Sequence, residues 1–151
     1  MADPLTSGET LARMDEGWAV FNDRVAKLPT ERLAVRIGPD GWTRKQMLAH
    51  IGTWHDLTVD RLTKFADSGE PVELGESTDA INARAARTAE GRTTGEIVLS
   101  LADSYRRLRR AVATLSDDQL GAHDGWATEV IAGNSFEHYA EHLPDLEGDR
   151  R

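Results

Sequence analysis

The sequence contains no cysteine. This absence excludes disulfide bonds, thiolate metal ligands and a cysteine nucleophile together. The chain also has no run of about 18 apolar residues, the length that a helix needs to cross a bilayer. Residues 1–9 are polar and lack the apolar segment of a signal peptide. We therefore predict a cytoplasmic protein with no membrane partner.

Positive charge is also scarce. The chain has 18 Lys and Arg residues against 26 Asp and Glu residues, so its formal net charge is −8. Binding to the phosphates of nucleic acid requires a basic surface. The densest basic cluster lies on a predicted helix beside Asp103 and consists of Arg106, Arg107, Arg109 and Arg110. We interpret it as a solvated helix face, and we expect no nucleic-acid partner.

The residues that are present predict one helical domain over residues 1–151. A chain of 151 residues with 39% hydrophobic residues is typical of a single folded domain. Apolar residues recur at steps of three and four along the chain, which is the period of an amphipathic helix. The first such stripe consists of Leu11, Met14, Trp18, Phe21, Val25 and Leu28.

Local signals predict where the helices begin and end. Three helix starts carry a capping box, in which a threonine and a Glu or Gln satisfy free amides; the pairs are Thr6–Glu9, Thr43–Gln46 and Thr93–Glu96. Residues 38–41 form a turn signal, and residues 78–90 predict a small alanine-rich helix. The last helix is expected from about residue 127 to 146. Four long amphipathic segments with short connections predict an all-α four-helix bundle with short extra helices in the connections.

The last predicted helix is unusual because one of its faces is polar. His138 and His142 lie one helical turn apart, and Asn134 and Ser135 share their broad face. A buried polar group without a partner costs about 1–3 kcal/mol. Two histidines at this spacing can direct their imidazole nitrogens at one metal ion, which would satisfy such a face.

A third ligand would have to come from another helix. His50 and His55 both lie on the second long helix, and His55 is nearer the middle of its apolar stripe. The pattern therefore slightly favours His55 as the more buried residue, but it does not choose between the two as a ligand. His123 is predicted to lie in a loop.

Three segments resemble a known family. Residues 41–51 (GWTRKQMLAHI) and 138–142 (HYAEH) are similar to the second-helix and last-helix motifs of DinB-like bundles, which include the N-terminal domains of mycothiol-dependent maleylpyruvate isomerases, and residues 79–83 are in keeping with them. The resemblance implies an up-down-down-up bundle and one divalent metal ion. It also implies that the ligands are His50, His138 and His142, and so selects His50 over His55.

The leading hypothesis is therefore a metal-dependent enzyme of the thiol-S-transferase or detoxification type. Zinc or nickel is the expected metal, and the resemblance implies a low-molecular-weight thiol such as mycothiol as a further cofactor. We expect a small-molecule substrate, with Asn134, Ser135 and Trp54 as substrate-binding candidates. Asp56 or Glu141 could orient a ligand imidazole. The catalytic residues are not predicted.

Two alternatives remain open at this point. Residues 134–139 (NSFEHY) are similar to a related group of bundles that includes metal-free self-resistance proteins. The second hypothesis is accordingly a metal-free hydrolase or binder of a reactive natural product. The third is a non-enzymatic homodimer that sequesters a small ligand. Chelation and turnover measurements distinguish the three.

Overall fold

The structure is a computed structural model that describes residues 5–37 and 41–147, and these residues are almost entirely helical. Of the predicted turn at residues 38–41, only Gly41 lies within the described part. The elements are, in order, α1 Ser7–Lys27, α2 Thr30–Leu33, α3 Arg44–Ser68, α4 Thr78–Glu90, α5 Thr94–Ala113, α6 Asp117–Gly133 and α7 Phe136–His142, followed by a short 3-10 helix, Leu143–Leu146.

The predicted helix starts are confirmed. In each capping box the threonine oxygen accepts a hydrogen bond from the backbone of the third helical residue, whose side chain accepts one from the threonine backbone; these boxes begin α1, α3 and α5. Ser116 and Gln119 form a fourth box at the start of α6. The alanine-rich helix α4 spans Thr78–Glu90, where it was predicted. Each box satisfies amides that a helix start leaves free, so local sequence alone defines these positions.

The bundle packs around α3. This helix lies against both α4 and α5, and α1 packs against α5 and α7. The buried apolar side chains come from all the long helices, and the fully buried ones include Met14, Phe21, Leu48, Ile51, Leu108 and Ile131. The expected all-α four-helix bundle with short additional helices is confirmed. No described helix combines the length and the apolar character that crossing a membrane requires.

The last helix differs from its prediction as one continuous helix over residues 127–146. The non-helical backbone from Ala122 to Gly125 lies before the predicted start, but the helix is interrupted between Gly133 and Phe136. Ser135, at this interruption, has φ −132° and ψ −108°. Pro144 lacks an amide hydrogen and cannot continue an α-helix, and the chain turns into the 3-10 helix at Leu143. His138 and His142 nevertheless stay within one unbroken helix, α7.

The arginine cluster on α5 is largely paired with carboxylates. Arg107 contacts Asp56 and Asp103, and Arg109 donates to both carboxylate oxygens of Asp15, at 2.8 and 2.9 Å. Such pairs on an exposed face contribute little stability individually. They do reduce the positive potential of this face, in keeping with its interpretation as solvated surface.

Candidate metal centre

Three histidine side chains converge between α3 and α7. His50 projects from α3, and His138 and His142 project from consecutive turns of α7. The Nε2 atoms of His50 and His138 are 2.9 Å apart. Taking one nitrogen from each ring, the three candidate ligand atoms lie within 4.8 Å of one another. Two helices that lie far apart in the sequence thus bring three imidazoles together.

A close approach between α1 and α7 positions two of these histidines. A Cβ atom added at Gly17 of α1 would lie 3.1 Å from Cβ of Phe136, at the first residue of α7. Only glycine leaves this approach free of crowding. Tyr139, on the same helix, is buried against Trp18 and Phe21 of α1. Because α7 is held in this way, the His138 and His142 rings face α3.

Hydrogen bonds at the far ring nitrogens orient His50 and His142. The Oδ1 atom of Asn82 lies 2.9 Å from Nδ1 of His50, and an Asp145 carboxylate oxygen lies 3.0 Å from Nδ1 of His142. Both partners are acceptors, so in the neutral form of each ring Nδ1 carries the proton and Nε2 presents a lone pair. Metal-binding histidines commonly have such an arrangement. Of the two carboxylates predicted for this role, Asp56 pairs with Arg107 instead, and Glu141 lines the neighbouring pocket.

His138 is the least satisfied of the three. Its Nδ1 atom is buried and has no hydrogen-bond partner among the described residues. If His138 donates from Nε2 to His50, its Nδ1 lone pair is stranded; if it carries its proton on Nδ1, two lone pairs face each other across 2.9 Å. A cation between the two Nε2 atoms would remove that repulsion. Tetrahedral ligation at about 2.05 Å separates nitrogen ligands by about 3.3 Å, so small ring movements would fit the cluster to a metal ion.

Burial keeps two of these imidazoles neutral. Desolvation, followed by the proximity of His142, lowers the pKa of His50 from 6.5 to about 4. Desolvation and the neighbouring histidines lower the pKa of His138 to about 3. A neutral imidazole is the form that binds a metal ion. Both residues therefore have the required protonation state throughout the neutral pH range.

The histidines open onto a pocket of about 390 Å³. Its walls include the indole rings of Trp42 and Trp54, together with Asn82, Asn134 and Glu141. A pocket of this size with aromatic walls and a few polar groups suits a small molecule. Any molecule bound in it would lie directly beside the three imidazoles.

The predicted substrate-binding residues divide into two groups. Trp54 and Asn134 line the pocket. Asn134 uses its amide nitrogen to donate to the Val130 carbonyl at 2.9 Å, which leaves its side-chain oxygen available as an acceptor. Ser135 is fully buried, and its hydroxyl donates to the Ile131 carbonyl at 2.5 Å. The structure does not bring Ser135 to the pocket, because the interruption before α7 turns its side chain into the core.

His55 lies outside the cluster. It is fully buried, its Nδ1 lies 2.8 Å from Ser104 Oγ, and its Nε2 lies 2.6 Å from the Tyr139 hydroxyl. Ser104 donates its own proton to the Leu101 carbonyl, so it accepts from His55, and the tyrosine donates to the remaining ring nitrogen. Desolvation, and secondly the Arg107 charge, lower the pKa of His55 to about 3. This ring is a neutral, fully hydrogen-bonded core residue.

Asn82 and Asp145 were not predicted from the sequence as residues of the site. Asn82 is 32 positions from His50, and periodicity gives no sign that α4 brings it to α3. Asp145 could have been found, because it lies three residues after His142, a spacing that keeps two side chains close in a helical segment.

Comparisons with known proteins agree with the architecture. The family model of the DinB superfamily matches residues 13–144. The fold is similar to that of the colibactin self-resistance protein ClbS, solved in complex with double-stranded DNA, with a TM-score of 0.80, 13% identity, and coverage of 96% of this chain and 95% of that one. It is also similar to an uncharacterised protein from Escherichia coli UTI89, with a TM-score of 0.77, 17% identity, and coverage of 95% and 92%.

A mycothiol-dependent maleylpyruvate isomerase has the same fold over part of its length. The TM-score is 0.76 at 18% identity, and the match covers 95% of this chain but only 62% of the isomerase. No functionally curated protein matches the sequence significantly. At these identities the structural neighbours establish the fold alone, and the function has to be inferred from the residues of the site.

Proposed function

Because this chain belongs to the DinB superfamily, we propose that His50, His138 and His142 bind one divalent metal ion and that the protein is a metal-dependent enzyme of the thiol-S-transferase or detoxification type. The observation that carries the proposal is the convergence of three imidazoles within 4.8 Å at the side of an open pocket. Three protein ligands leave a tetrahedral ion one position for a substrate, as in catalytic sites.

Each histidine has a distinct part in this proposal. His50 and His142 present Nε2 lone pairs because Asn82 and Asp145 hold the protons on Nδ1. His138 lies against His50 and would be relieved of its unfavourable contact by a cation. Zinc or nickel suits an all-imidazole ligand set. When bound, the ion would supply Lewis-acid activation of a coordinated thiol or water.

A small external thiol is the co-substrate that we favour. The chain has no cysteine, so it supplies no thiol of its own. One structural relative is described as mycothiol-dependent, and the pocket of about 390 Å³ leaves space beside the histidines for part of such a molecule. Trp42 and Trp54 offer apolar faces to the substrate, and the free side-chain oxygen of Asn134 offers it an acceptor.

The metal content of tag-free protein tests the proposal. Elemental mass spectrometry should find near one equivalent of zinc or nickel in the parent and little in His138→Ala. Arg110→Ala, at the exposed end of α5, is the matched control and should keep the parent's metal content. Absence of metal after reconstitution with both ions would refute the proposed site.

A metal-free function is the second candidate. The 2.9 Å contact between His50 and His138 can exist as a hydrogen bond between two neutral rings without an ion. In that state the remaining lone pair of His138 lies on its buried Nδ1, so the Nε2 lone pair of His142 at the pocket wall would be the base that accepts a proton from water attacking a reactive ligand. Activity that survives complete chelation would favour this hydrolase, and ligand binding without turnover would favour the sequestering function.

Nucleic-acid binding is tested separately, because ClbS was solved with double-stranded DNA. The net charge of −8 and the paired arginines of α5 oppose binding to a polyanion. We expect no shift in fluorescence anisotropy when labelled duplex DNA is titrated with the protein at low salt. A saturable shift that disappears at high salt would contradict this expectation.

A further inference from the structure

Asn82 lies between two ring systems of α3. Its Oδ1 atom is 2.8 Å from Nε1 of Trp54 and 2.9 Å from Nδ1 of His50. The indole nitrogen can only donate a hydrogen bond, so the Asn82 atom that faces it has to be the oxygen. This contact removes the usual ambiguity between the oxygen and the nitrogen of a side-chain amide. Trp54 therefore determines which way the Asn82 amide points.

The orientation of the amide then determines the proton position on His50. Because Asn82 presents oxygen to both rings, Nδ1 of His50 has to donate, and the neutral ring keeps its lone pair on Nε2. That lone pair faces Nε2 of His138. We propose that Asn82, oriented by Trp54, is a positioning residue that keeps His50 in the tautomer whose Nε2 is free to bind the metal ion. The metal-binding part of this inference rests on the proposed function, whereas the tautomer does not.

The packing of α4 supplies the rigidity that this role requires. Asn82 belongs to α4, and Ile81, Ala85 and Ala89 of that helix are buried. The Trp54 side chain is itself buried, with 8% of its surface exposed. Helix α4 thus docks on α3 and places the amide against the face that carries both rings. The position of α4 therefore influences which nitrogen of His50 carries the proton.

The other two histidines lack a comparable contact. His142 is oriented by Asp145, only three residues away, and Nδ1 of His138 has no partner in the described part of the chain. Among the three, His50 is therefore the ring whose orientation depends on a distant element. If the role of Asn82 were purely structural, its substitution would change stability alone. If Asn82 positions His50, its substitution also changes the tautomer of that ring.

Heteronuclear NMR of isotopically labelled histidine rings in metal-free protein provides the direct test. At about pH 8 unperturbed imidazoles are neutral, and His50 in the parent should show a protonated Nδ1 and an unprotonated Nε2. Asn82→Ala should leave His50 distributed between both tautomers. Asn82→Asp, which still presents only acceptors, should restore the parent tautomer. His55 should keep its Nδ1 proton in every variant and serves as an internal reference for folding.

Trp54→Phe provides an independent test that keeps Asn82 but removes the group that orients it. It removes the indole donor and leaves the amide free to rotate by half a turn, so that the Asn82 nitrogen can donate to Nδ1 of His50. The tautomer of His50 should then shift toward the Nε2-protonated form, although Asn82 is still present. A His50 tautomer that is unchanged in both Asn82→Ala and Trp54→Phe would overturn the inference.

Zinc affinity, measured by competition with a chromophoric chelator, provides the second readout. Loss of an outer hydrogen bond to a metal-binding histidine weakens metal affinity by about 10–100-fold, and Asn82→Ala should fall in this range. Asn82→Asp should recover most of the loss, and Arg87→Ala, exposed on the same helix, should match the parent. Parent-like affinity in Asn82→Ala would overturn the metal-binding part. If the parent binds neither zinc nor nickel while the tautomers respond as expected, the proposed function fails and the positioning of His50 stands.

Discussion

His50 and His55 both project from α3, and both are buried, but their ring nitrogens have different surroundings. His55 is fully enclosed, and each of its nitrogens has one protein partner, Ser104 or Tyr139. His50 retains 7% of its surface at the edge of a pocket, and its Nε2 faces another imidazole nitrogen. A ring whose hydrogen bonds are complete stabilises the core, whereas a ring that meets other lone pairs can bind an ion.

The comparison also shows that depth of burial does not identify a ligand. Desolvation lowers the pKa of both residues, to about 4 for His50 and about 3 for His55. Both rings are therefore neutral at physiological pH, and charge state does not separate them. What separates them is the group of α7 that Nε2 meets, which is the His138 ring for His50 and the Tyr139 hydroxyl for His55. Substitutions at either histidine test this difference.

The largest expected effect is the loss of metal from the cluster. Structural zinc sites with four protein ligands bind with about 10–16 kcal/mol in total, or about 2.5–4 kcal/mol per ligand. Removing one of the three ligands proposed here should therefore weaken affinity by roughly 1,000-fold, or about 4 kcal/mol. We therefore expect His50→Ala to lose zinc in competition titrations. His55→Gln, a change at the other histidine of α3, should retain parent affinity. Equal losses in both variants would mean that the two histidines do not differ in function.

His55→Ala should show the converse behaviour. It removes the acceptor of the buried Tyr139 hydroxyl and the donor to Ser104, whose own proton still goes to the Leu101 carbonyl, and an unsatisfied buried group costs about 1–3 kcal/mol. Together with the cavity, we expect a loss of about 3 kcal/mol in the free energy of unfolding, measured by urea denaturation of metal-free protein. His50→Ala should lose clearly less stability, since its ring lies at a pocket wall.

Acid should destabilise the metal-free protein partly through His55. The unfolded residue binds its proton near pH 6.5, but the folded residue only near pH 3. The contribution of His55 to the free energy of unfolding is therefore fully present above about pH 6.5. It decreases as the pH falls toward 3, and about 2 kcal/mol of it is lost at pH 5.

The slope of the free energy of unfolding against pH, between about pH 6 and pH 4, isolates this contribution. His55→Gln has no titrating ring, so its slope should be shallower than the parent's by up to about 1.4 kcal/mol per pH unit. Parallel slopes would indicate that His55 is protonated in the folded state. The comparison uses slopes because the substitution itself also lowers stability.

The smallest predicted effect comes from removing one hydroxyl group. Tyr139→Phe keeps the aromatic packing against Trp18 and Phe21 but leaves Nε2 of His55 without its donor. We expect a loss of about 1–2 kcal/mol in the free energy of unfolding and no change in zinc affinity. Tyr105→Phe is the matched control, because that hydroxyl bonds to Asp15 near the surface and its loss should be tolerated better.

Local order was well predicted from the sequence because its causes are local. The capping threonines, the apolar stripes and the alanine-rich α4 each depend on residues within a few positions of one another. The spacing of His138 and His142 is local in the same sense. The continuous last helix was the exception, because Gly133 and Ser135 interrupt it where the chain meets α1.

The sequence by itself determined the class of fold, the helix starts and a pair of histidines one turn apart. It left the third histidine open between His50 and His55, and the resemblance to DinB-like bundles selected His50. Only the tertiary structure decided which nitrogens meet, that Asn82 and Asp145 orient two of the rings, and that Ser135 faces the core. Helix formation depends on residues within about one turn. The geometry of the site depends instead on how separate helices pack, which involves residues that are distant in the sequence.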